Sequence, residues 1–246
     1  MSRGDSTDWS HWHSQYDVTP DLQTRLAIVQ EQLVDAMAQA PPGPIRLVSL
    51  CAGDGRDVIA ALQHHPRRLE VEASLVELDH ASVLRGRAVA DRVGLTRQVR
   101  FVEADATRAA SYGESVPASV VLASGMLGHL RPRSVARLIL NFTLCCREGG
   151  SLIWNRHHRL NDGIRQVPAI RRWLACTGFH EVDYRSTSPD GFACGRCRFD
   201  GPARIRKLSS TLFEFVGLSV LDPSGTGTTS VAFGLHQKPN QLLDLP

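Results

Sequence analysis

The 246-residue sequence predicts an α/β fold: a doubly wound sheet of seven strands, mostly parallel, with a C-terminal antiparallel hairpin. Three observations favour this fold. Short apolar runs alternate with helical segments from residue 45 onward, which is typical of a parallel sheet covered on both faces. A glycine turn joins the first strand to the helix after it. Finally, the turn sequence Ser188-Pro-Asp-Gly191 separates two adjacent strands and indicates a hairpin.

Apolar spacing and end signals locate the helices. Residues 20–39 carry apolar side chains at helical spacing, and the run Pro41-Pro-Gly-Pro44 ends this helix. Gly94, Glu148-Gly-Gly150 and Gly178 are expected to end three of the later helices. The predicted helices cover residues 20–39, 56–64, 81–93, 133–146 and 164–177. The predicted strands cover residues 45–50, 71–78, 99–104, 116–124, 151–155, 180–187 and 192–199.

Composition excludes several classes of protein. A formal net charge of +3 with scattered arginines does not form the concentrated basic face of a nucleic-acid-binding protein. No apolar run approaches the ~20 residues that span a bilayer, and the polar N-terminus lacks a signal peptide. We therefore expect a cytoplasmic protein with no nucleic-acid partner and no membrane association, and the option of a homodimer stays open.

Six cysteines are expected to stay reduced in that compartment. Cys194-Gly-Arg-Cys197 is a lone C-x-x-C motif without a second pair at zinc-finger spacing. The simpler interpretation is two positions on one strand of the hairpin, although a zinc site is the alternative. We expect no bound metal.

The first four predicted strands end in residues suited to a nucleotide-like ligand. In an open parallel sheet, ligands bind beyond the carboxyl ends of the strands. A carboxylate such as Glu77 can bridge a ribose diol, and Asp105 can accept from an exocyclic amine. The four strand ends are Gly53-Asp54-Gly55, Glu77-Leu78-Asp79, Asp105-Ala106 and Ser124-Gly125-Met126. The full G-x-G-x-x-G of a nicotinamide site is absent, because Val58 stands where the third glycine would be.

These segments carry a resemblance to a known family. Over residues 45–200 the chain resembles class I S-adenosylmethionine-dependent methyltransferases, which implies a Rossmann-like sheet and S-adenosylmethionine as cofactor. Two residues depart from the family pattern: Ser49 stands where an acidic residue is frequent, and Cys51 replaces the first glycine. The matching segments are Leu47-Val-Ser-Leu-Cys-Ala-Gly-Asp-Gly55, Leu75-Val-Glu-Leu-Asp79, Phe101-Val-Glu-Ala-Asp105 and Val120-Val-Leu-Ala-Ser-Gly-Met-Leu-Gly-His-Leu130.

The resemblance also implies roles for individual residues. Gly53 and Gly55 would lie against the methionine part of the cofactor, and Glu77 would hold the ribose, with Asp79 as the alternative. Asp105 and the Ala106 amide would recognise the adenine. The complete set expected to bind the cofactor is Cys51, Ala52, Gly53, Asp54, Gly55, Glu77, Leu78, Asp79, Asp105, Ala106, Ser124, Gly125 and Arg25. Arg25 would pair with the cofactor carboxylate, or else lie on a solvated helix face.

The organisation of the chain predicts three segments. Residues 1–40 form a lid segment and helix, residues 41–217 form the cofactor-binding domain, and residues 218–246 form a tail with a candidate edge strand at 231–235. The aromatic and histidine side chains of the lid would cover the substrate pocket; the alternative is that they only pack at the N-terminus. These lid residues are Trp9, His11, Trp12, His13 and Tyr16.

The methyl group of a sulfonium is already activated, so a general base is needed only for acceptors that must lose a proton. The candidate catalytic residues are His129, His157 and Tyr16. His129 follows the fourth strand, where histidine can also simply cap or pack. Asn155, His157 and His158 are expected to follow the fifth strand, with one of them lining the substrate pocket.

We expect O-, N- or C-methylation of a small organic acceptor, in specialised metabolism. The absence of an acidic cluster after the fourth strand excludes a magnesium-dependent catechol site, and Cys145-Cys146 lies in a predicted helix, unlike the cysteine pair of RNA 5-methylcytosine enzymes. Two alternatives stay open. An RNA or protein methyltransferase would need an open basic groove, and a non-methylating S-adenosylmethionine-binding protein would use the sulfonium only electrostatically.

Overall fold

The computed structural model describes residues 19–216, which form a seven-stranded sheet with helices on both faces. The strand order is β3-β2-β1-β4-β5-β7-β6; β1 to β5 run parallel, and β7 is antiparallel to both of its neighbours. The predicted fold class is confirmed. The strands are β1 Ile45–Leu50, β2 Val71–Glu77, β3 Val99–Glu103, β4 Ala118–Ala123, β5 Cys146–His157, β6 Phe179–Ser186 and β7 Phe192–Phe199.

The helices agree with the predicted ones to within one residue or two at each end. They are α1 Pro20–Gln39, α2 Arg56–Gln63, α3 His80–Arg92, α4 Pro132–Cys145 and α5 Gly163–Cys176. Two apolar layers pack them on the sheet. Helices α1, α2 and α3 cover one face through a cluster that includes Leu33, Met37 and Leu62, and α4 and α5 cover the other through Leu138, Phe142 and Ile170. Within the described residues, no helix is both long and apolar enough to cross a membrane.

Strand β5 is longer than predicted, and this corrects three expectations. Glu148-Gly-Gly150 does not end α4 but lies inside the strand, where residues 147–150 bulge opposite Ser119. Gly150 is required there, because a Cβ atom would lie 2.8 Å from the carbonyl oxygen of Arg147 and 3.0 Å from that of Ser119. His157 is part of β5 instead of following it, and Asn155 lies inside the strand instead of at its end. Cys146 likewise begins the strand, whereas the prediction placed it in the helix.

A segment without a predicted element, residues 208–215, packs against the face covered by α4. Leu212 and Phe213 are fully buried, and the Leu212 amide donates to the carbonyl of Thr107 at 2.7 Å. A bridge between Leu130 and Phe215 brings the end of this segment to the carboxyl edge of the sheet. The chain therefore adds an aromatic side chain to that edge from far along the sequence.

Some predictions concern residues outside the described range. The lid residues 9–16, with Tyr16 among them, and the edge strand at 231–235 are two such cases. The domain boundaries remain a prediction. Cys194 and Cys197 both lie on β7, as the simpler interpretation expected, and both are buried.

Candidate functional site

A cavity of about 420 Å³ lies at the carboxyl ends of β1 to β4. It sits where the strand order reverses between β1 and β4, the position at which open α/β sheets bind ligands. All four strand ends singled out in the sequence contribute to its wall. The lining residues are Arg25, Leu26, Cys51, Ala52, Gly53, Asp54, Arg56, Asp57, Glu77, Leu78, Ser82, Asp105, Ala106, Thr107, Ser124, Gly125, Met126, His129 and Phe215.

The turn after β1 is built from three residues with left-handed backbone. Cys51, Gly53 and Gly55 have φ of 52°, 57° and 68°. Cys51 adopts this conformation without being glycine, at a cost of roughly 1–2 kcal/mol. Burial raises the pKa of the Cys51 thiol well above its usual range, and the nearby Glu77 raises it further. Cys51 is therefore a neutral wall residue of the cavity.

Gly55 does not line the cavity but is required for packing. A Cβ atom at this position would lie 2.4 Å from Cδ2 of Leu75 and 2.9 Å from Cζ of Phe101. The residue precedes the first turn of α2, so its missing side chain allows the helix to approach β2 and β3 closely. Its contribution to the site is to position the turn.

Glu77 lines the cavity and also holds the turn. Its Oε2 accepts from the amide of Gly53 at 2.8 Å, and its Oε1 accepts from the amides of Leu78 and Asp79, each at 2.8 Å. Asp79 has a different place: it is the N-cap of α3, accepts from the Ser82 amide at 2.8 Å, and does not line the cavity. Of the two carboxylates left open by the sequence, only Glu77 lines it.

The end of β3 is organised by its own hydrogen bonds. Asp105 Oδ1 accepts from the amide of Thr107 at 2.9 Å, and the hydroxyl of the buried Tyr112 donates to the carbonyl of Ala106 at 2.6 Å. Thr107 lines the cavity although the sequence analysis did not single it out. Its position directly after Asp105-Ala106 could have identified it in the sequence.

Asn155 shapes the loop after β4 from behind the cavity wall. Its Nδ2 donates to Oγ of Ser124 at 2.7 Å, and its Oδ1 accepts from the amide of Gly125 at 2.9 Å. The side chain is buried within β5. One of the residues 155, 157 and 158 was expected to line the pocket. Asn155 does not line it but orients Ser124 and Gly125, which do.

Arg25 lies at the cavity and not on a solvated helix face. It is buried, and its guanidinium carbon stands 4.8 Å from the ring centre of Phe192, a cation–π arrangement. Burial lowers the pKa of Arg25 to about 10. The guanidinium remains charged at neutral pH, because that value is well above 7.

Asp57 is a cavity residue that the sequence analysis did not select. It stands in the first turn of α2, where its Oδ1 accepts from the amide of Val58 at 2.8 Å. Burial raises the pKa of Asp57 to about 6, and the neighbouring carboxylate of Asp54 raises it as well. Arg56, also unselected, pairs with Asp54 at 2.7 Å.

The described lining carries more negative than positive charge. Carboxylates outnumber guanidinium groups, and a cleft lined by one sign of charge attracts ligands of the opposite sign. The charged lining residues are Asp54, Asp57, Glu77, Asp105, Arg25 and Arg56. The cavity therefore suits a ligand with a cationic centre.

His129 lines the cavity on the short turn after β4. Burial lowers the pKa of His129, and the charge of Arg156 lowers it further. Arg156 is itself buried, and it donates to the carbonyl of Asn161, whose side-chain amide donates to the carbonyl of Gly128 at 3.1 Å. The imidazole is thus held neutral on a loop anchored from β5.

His157 does not line the cavity. Its Nδ1 accepts from the amides of Arg159 and Leu160 at 3.0 and 3.2 Å, and its ring packs edge-on against Phe192 at 4.8 Å. These contacts describe a histidine that ends a strand and shapes the following turn. His158 also lies outside the cavity lining, and the Tyr16 prediction falls outside the described residues.

Comparisons with known proteins agree with this geometry. A family described as "Putative methyltransferase" matches residues 21–157, more than half of the chain. The chain belongs to this methyltransferase family. Its sheet order is the one expected from the resemblance noted in the sequence. No curated protein matches the sequence.

Solved structures share the fold at low sequence identity. An O-methyltransferase family protein from Burkholderia thailandensis has a TM-score of 0.58 and 16% identity, over 78% of this chain and 61% of its own. Magnesium protoporphyrin IX methyltransferase from Synechocystis PCC 6803, solved with bound SAH, has a TM-score of 0.58 and 12% identity, over 79% and 94%.

An O-methyltransferase family 2 protein from Planctomyces limnophilus DSM 3776, solved with apigenin, has a TM-score of 0.53 and 18% identity, over 72% of this chain and 59% of its own. This chain therefore spans about three fifths of the length of the Burkholderia and Planctomyces proteins. At these identities the likeness shows a common fold.

Proposed function

We propose that this enzyme transfers the methyl group of S-adenosylmethionine to a small organic acceptor bound in the carboxyl-edge cavity. The observation that carries the proposal is the cavity itself: about 420 Å³, at the switch between β1 and β4, with a net negative lining and a neutral histidine. Its volume lies within the roughly 300–1,000 Å³ of small-molecule sites.

The residues of the cavity fit the cofactor by their chemistry. Glu77 offers carboxylate oxygens to the ribose hydroxyls, and Asp105 with the Ala106 amide offers an acceptor and a donor to the adenine. The turn residues Cys51, Ala52, Gly53 and Asp54 would lie against the methionine part, and Arg25 would pair with its carboxylate. Ser124, Gly125 and Leu78 add small and apolar surface to the cavity wall. The cofactor, when bound, supplies an activated methyl group on a cationic sulfur, which the negative lining favours.

His129 is proposed as the general base. A neutral imidazole can accept the proton that a hydroxyl or an acidic carbon must lose on methylation. Burial and the charge of Arg156 keep the pKa of His129 below its usual value, so the basic form is present at neutral pH. This favours an oxygen or carbon acceptor over an amine that is already neutral.

The charge of the cavity also distinguishes the acceptor classes. An RNA methyltransferase needs cationic side chains facing the phosphate backbone. Here Arg56 is paired with Asp54, and the described lining is negative overall. We therefore favour a small acceptor over RNA, and flat or hydrophobic acceptors over phosphorylated ones. Specialised metabolism is the setting that we propose for it.

Calorimetry tests the cofactor assignment. We expect the protein to bind S-adenosylmethionine and its demethylated product, and Glu77→Ala to weaken both by roughly a hundredfold, because two charge-assisted hydrogen bonds to the ribose are lost. Glu103→Ala is the matched control: Glu103 pairs in register with Glu77 on β3 and does not line the cavity.

Because Glu77 also holds the Gly53 amide, the unfolding midpoint of each variant is measured in parallel. An unchanged dissociation constant in a folded Glu77→Ala protein would contradict the ribose assignment. Absence of binding by the wild-type protein would refute the proposed function. Methyl transfer to an oligonucleotide or protein but to no small molecule in an acceptor screen would refute the acceptor class.

A further inference from the structure

A second cleft lies at the opposite edge of the sheet, near the beginnings of β4 and β5. Its volume is about 140 Å³, below the roughly 300 Å³ at which sites for drug-sized ligands begin. Only a small ligand fits it. The lining residues are Ala36, Gln39, Ala40, Pro41, Ser119, Arg147, Gly149, Ser151, Val182, Arg196 and Arg198.

Three arginines meet in this cleft because of the bulge in β5. Residues 147–150 of β5 stand opposite Ser119 alone, which sets Arg147 beside the start of β4. Arg196 and Arg198 are two residues apart on β7 and therefore share one face of the sheet. In register, Arg198 lies opposite Ser151. Ser119, Ser151 and the three arginines thus line one small space.

The positive charge of the cleft is only partly balanced. Arg198 forms a bidentate pair with Asp200 at 2.7 and 3.1 Å. Arg196 is 3.8 Å from the exposed Asp35, and its charge also helps to lower the pKa of Asp183. The side chain of Arg147 forms no ion pair within the part of the chain that the structure describes.

Arg196 is the most buried of the three arginines. The residue is 4% exposed, and its Nη1 donates to Oε1 of Gln39 at 2.9 Å. Its Nε is buried and has no hydrogen-bond partner among residues 19–216. A buried guanidinium N–H without a partner is costly, and an anion in the cleft would offset that cost.

The neighbouring helix end does not oppose an anion. The carbonyls at the C-terminus of α1 would repel it, but they are occupied: Arg67 donates to the carbonyls of Met37 and Ala40 at 3.1 and 2.5 Å. We propose that the cleft binds a small oxyanion, namely phosphate, free or as the phosphate group of a small metabolite. Guanidinium and hydroxyl donors are the groups that recognise phosphate oxygens.

Thermal unfolding of the full chain tests this site. The probes are inorganic phosphate and glycerol 3-phosphate, each compared with sodium chloride at equal ionic strength and with S-adenosylmethionine saturating the other cavity. We expect the unfolding midpoint to rise with probe concentration, because a ligand bound only to the folded state stabilises it. The probe that raises the unfolding midpoint more at equal concentration tells whether free phosphate or a phosphate ester is the occupant.

Arg147→Gln and Arg198→Gln remove one donor each from the exposed part of the cleft, and we expect each to weaken probe binding roughly tenfold. Arg92→Gln, at the end of α3 and outside both cavities, removes the same charge and is the control. Equal midpoints in phosphate and chloride would overturn the proposal. So would an equal response of the Arg147 and Arg92 variants, which would indicate non-specific charge screening.

Discussion

Asp57 carries a stability cost that its replacement removes. The carboxylate lies in the first turn of α2 at the cavity, and burial raises its pKa from 3.8 to about 6. Asparagine has the same shape, and its Oδ1 can keep the hydrogen bond from the Val58 amide. We expect Asp57→Asn to be more stable than the wild-type protein at neutral pH in the absence of ligand.

The raised pKa of Asp57 gives the size of the expected gain in stability. Two pKa units correspond to about 3 kcal/mol, and solvent in the cavity reduces this to about 1–3 kcal/mol. Because the folded-state pKa is raised, the folded state holds the proton longer than the unfolded state between pH 3.8 and about 6. The contribution of Asp57 to wild-type stability therefore falls across this window as pH rises. The advantage of the variant opens between about pH 4 and 6 and is constant above.

Urea denaturation at pH 4, 5, 6, 7 and 8 measures this difference. Asp91→Asn, an exposed site on α3, controls for the loss of one negative charge. Equal stability of the Asp57→Asn and wild-type proteins at pH 7, or a difference that does not change below pH 6, would refute the reasoning. A carboxylate kept at this cost fits a residue that serves ligand binding, a trade-off common at functional sites.

Three further perturbations follow from the structure. His129→Gln should lower kcat by about 10²–10⁴ in steady-state kinetics. The wild-type kcat should fall as the pH drops below the usual histidine pKa, and the variant should lose this fall. A variant whose kcat still falls in the same way at low pH would contradict the role of His129 as base. Asn155→Leu should cost about 2–4 kcal/mol in urea denaturation, because it leaves two polar groups of the β4 loop unpaired; a loss below about 0.5 kcal/mol would argue against that anchor. Gly55→Ala should lower the free energy of unfolding by about 2–4 kcal/mol, because the new Cβ is strained and overlaps Leu75 and Phe101. Gly94 also has a positive φ, of 71°, but nothing lies within 4 Å of its Cβ position, so Gly94→Ala should cost only about 1 kcal/mol. Equal losses in the two variants would contradict the packing argument.

Much of the fold follows from local sequence. Apolar runs, helical spacing and glycine turns are read within one element, so strand and helix positions agree closely with the structure. The exception is β5, where Glu148-Gly-Gly150 has the composition of a helix end and instead forms a bulge. Local composition could not distinguish the two, because contact with the start of β4 selects the bulge.

The sequence by itself determined which strand ends meet, since parallel strands place their carboxyl ends at one edge of the sheet. It did not determine which side chains there face the cavity. Tertiary contacts decided that Glu77 lines it while Asp79 caps α3, and that Asn155 supports the wall. They also buried Arg25 beside Phe192. Such placements depend on packing between residues distant in sequence, whose spacing leaves no periodic signal along the chain.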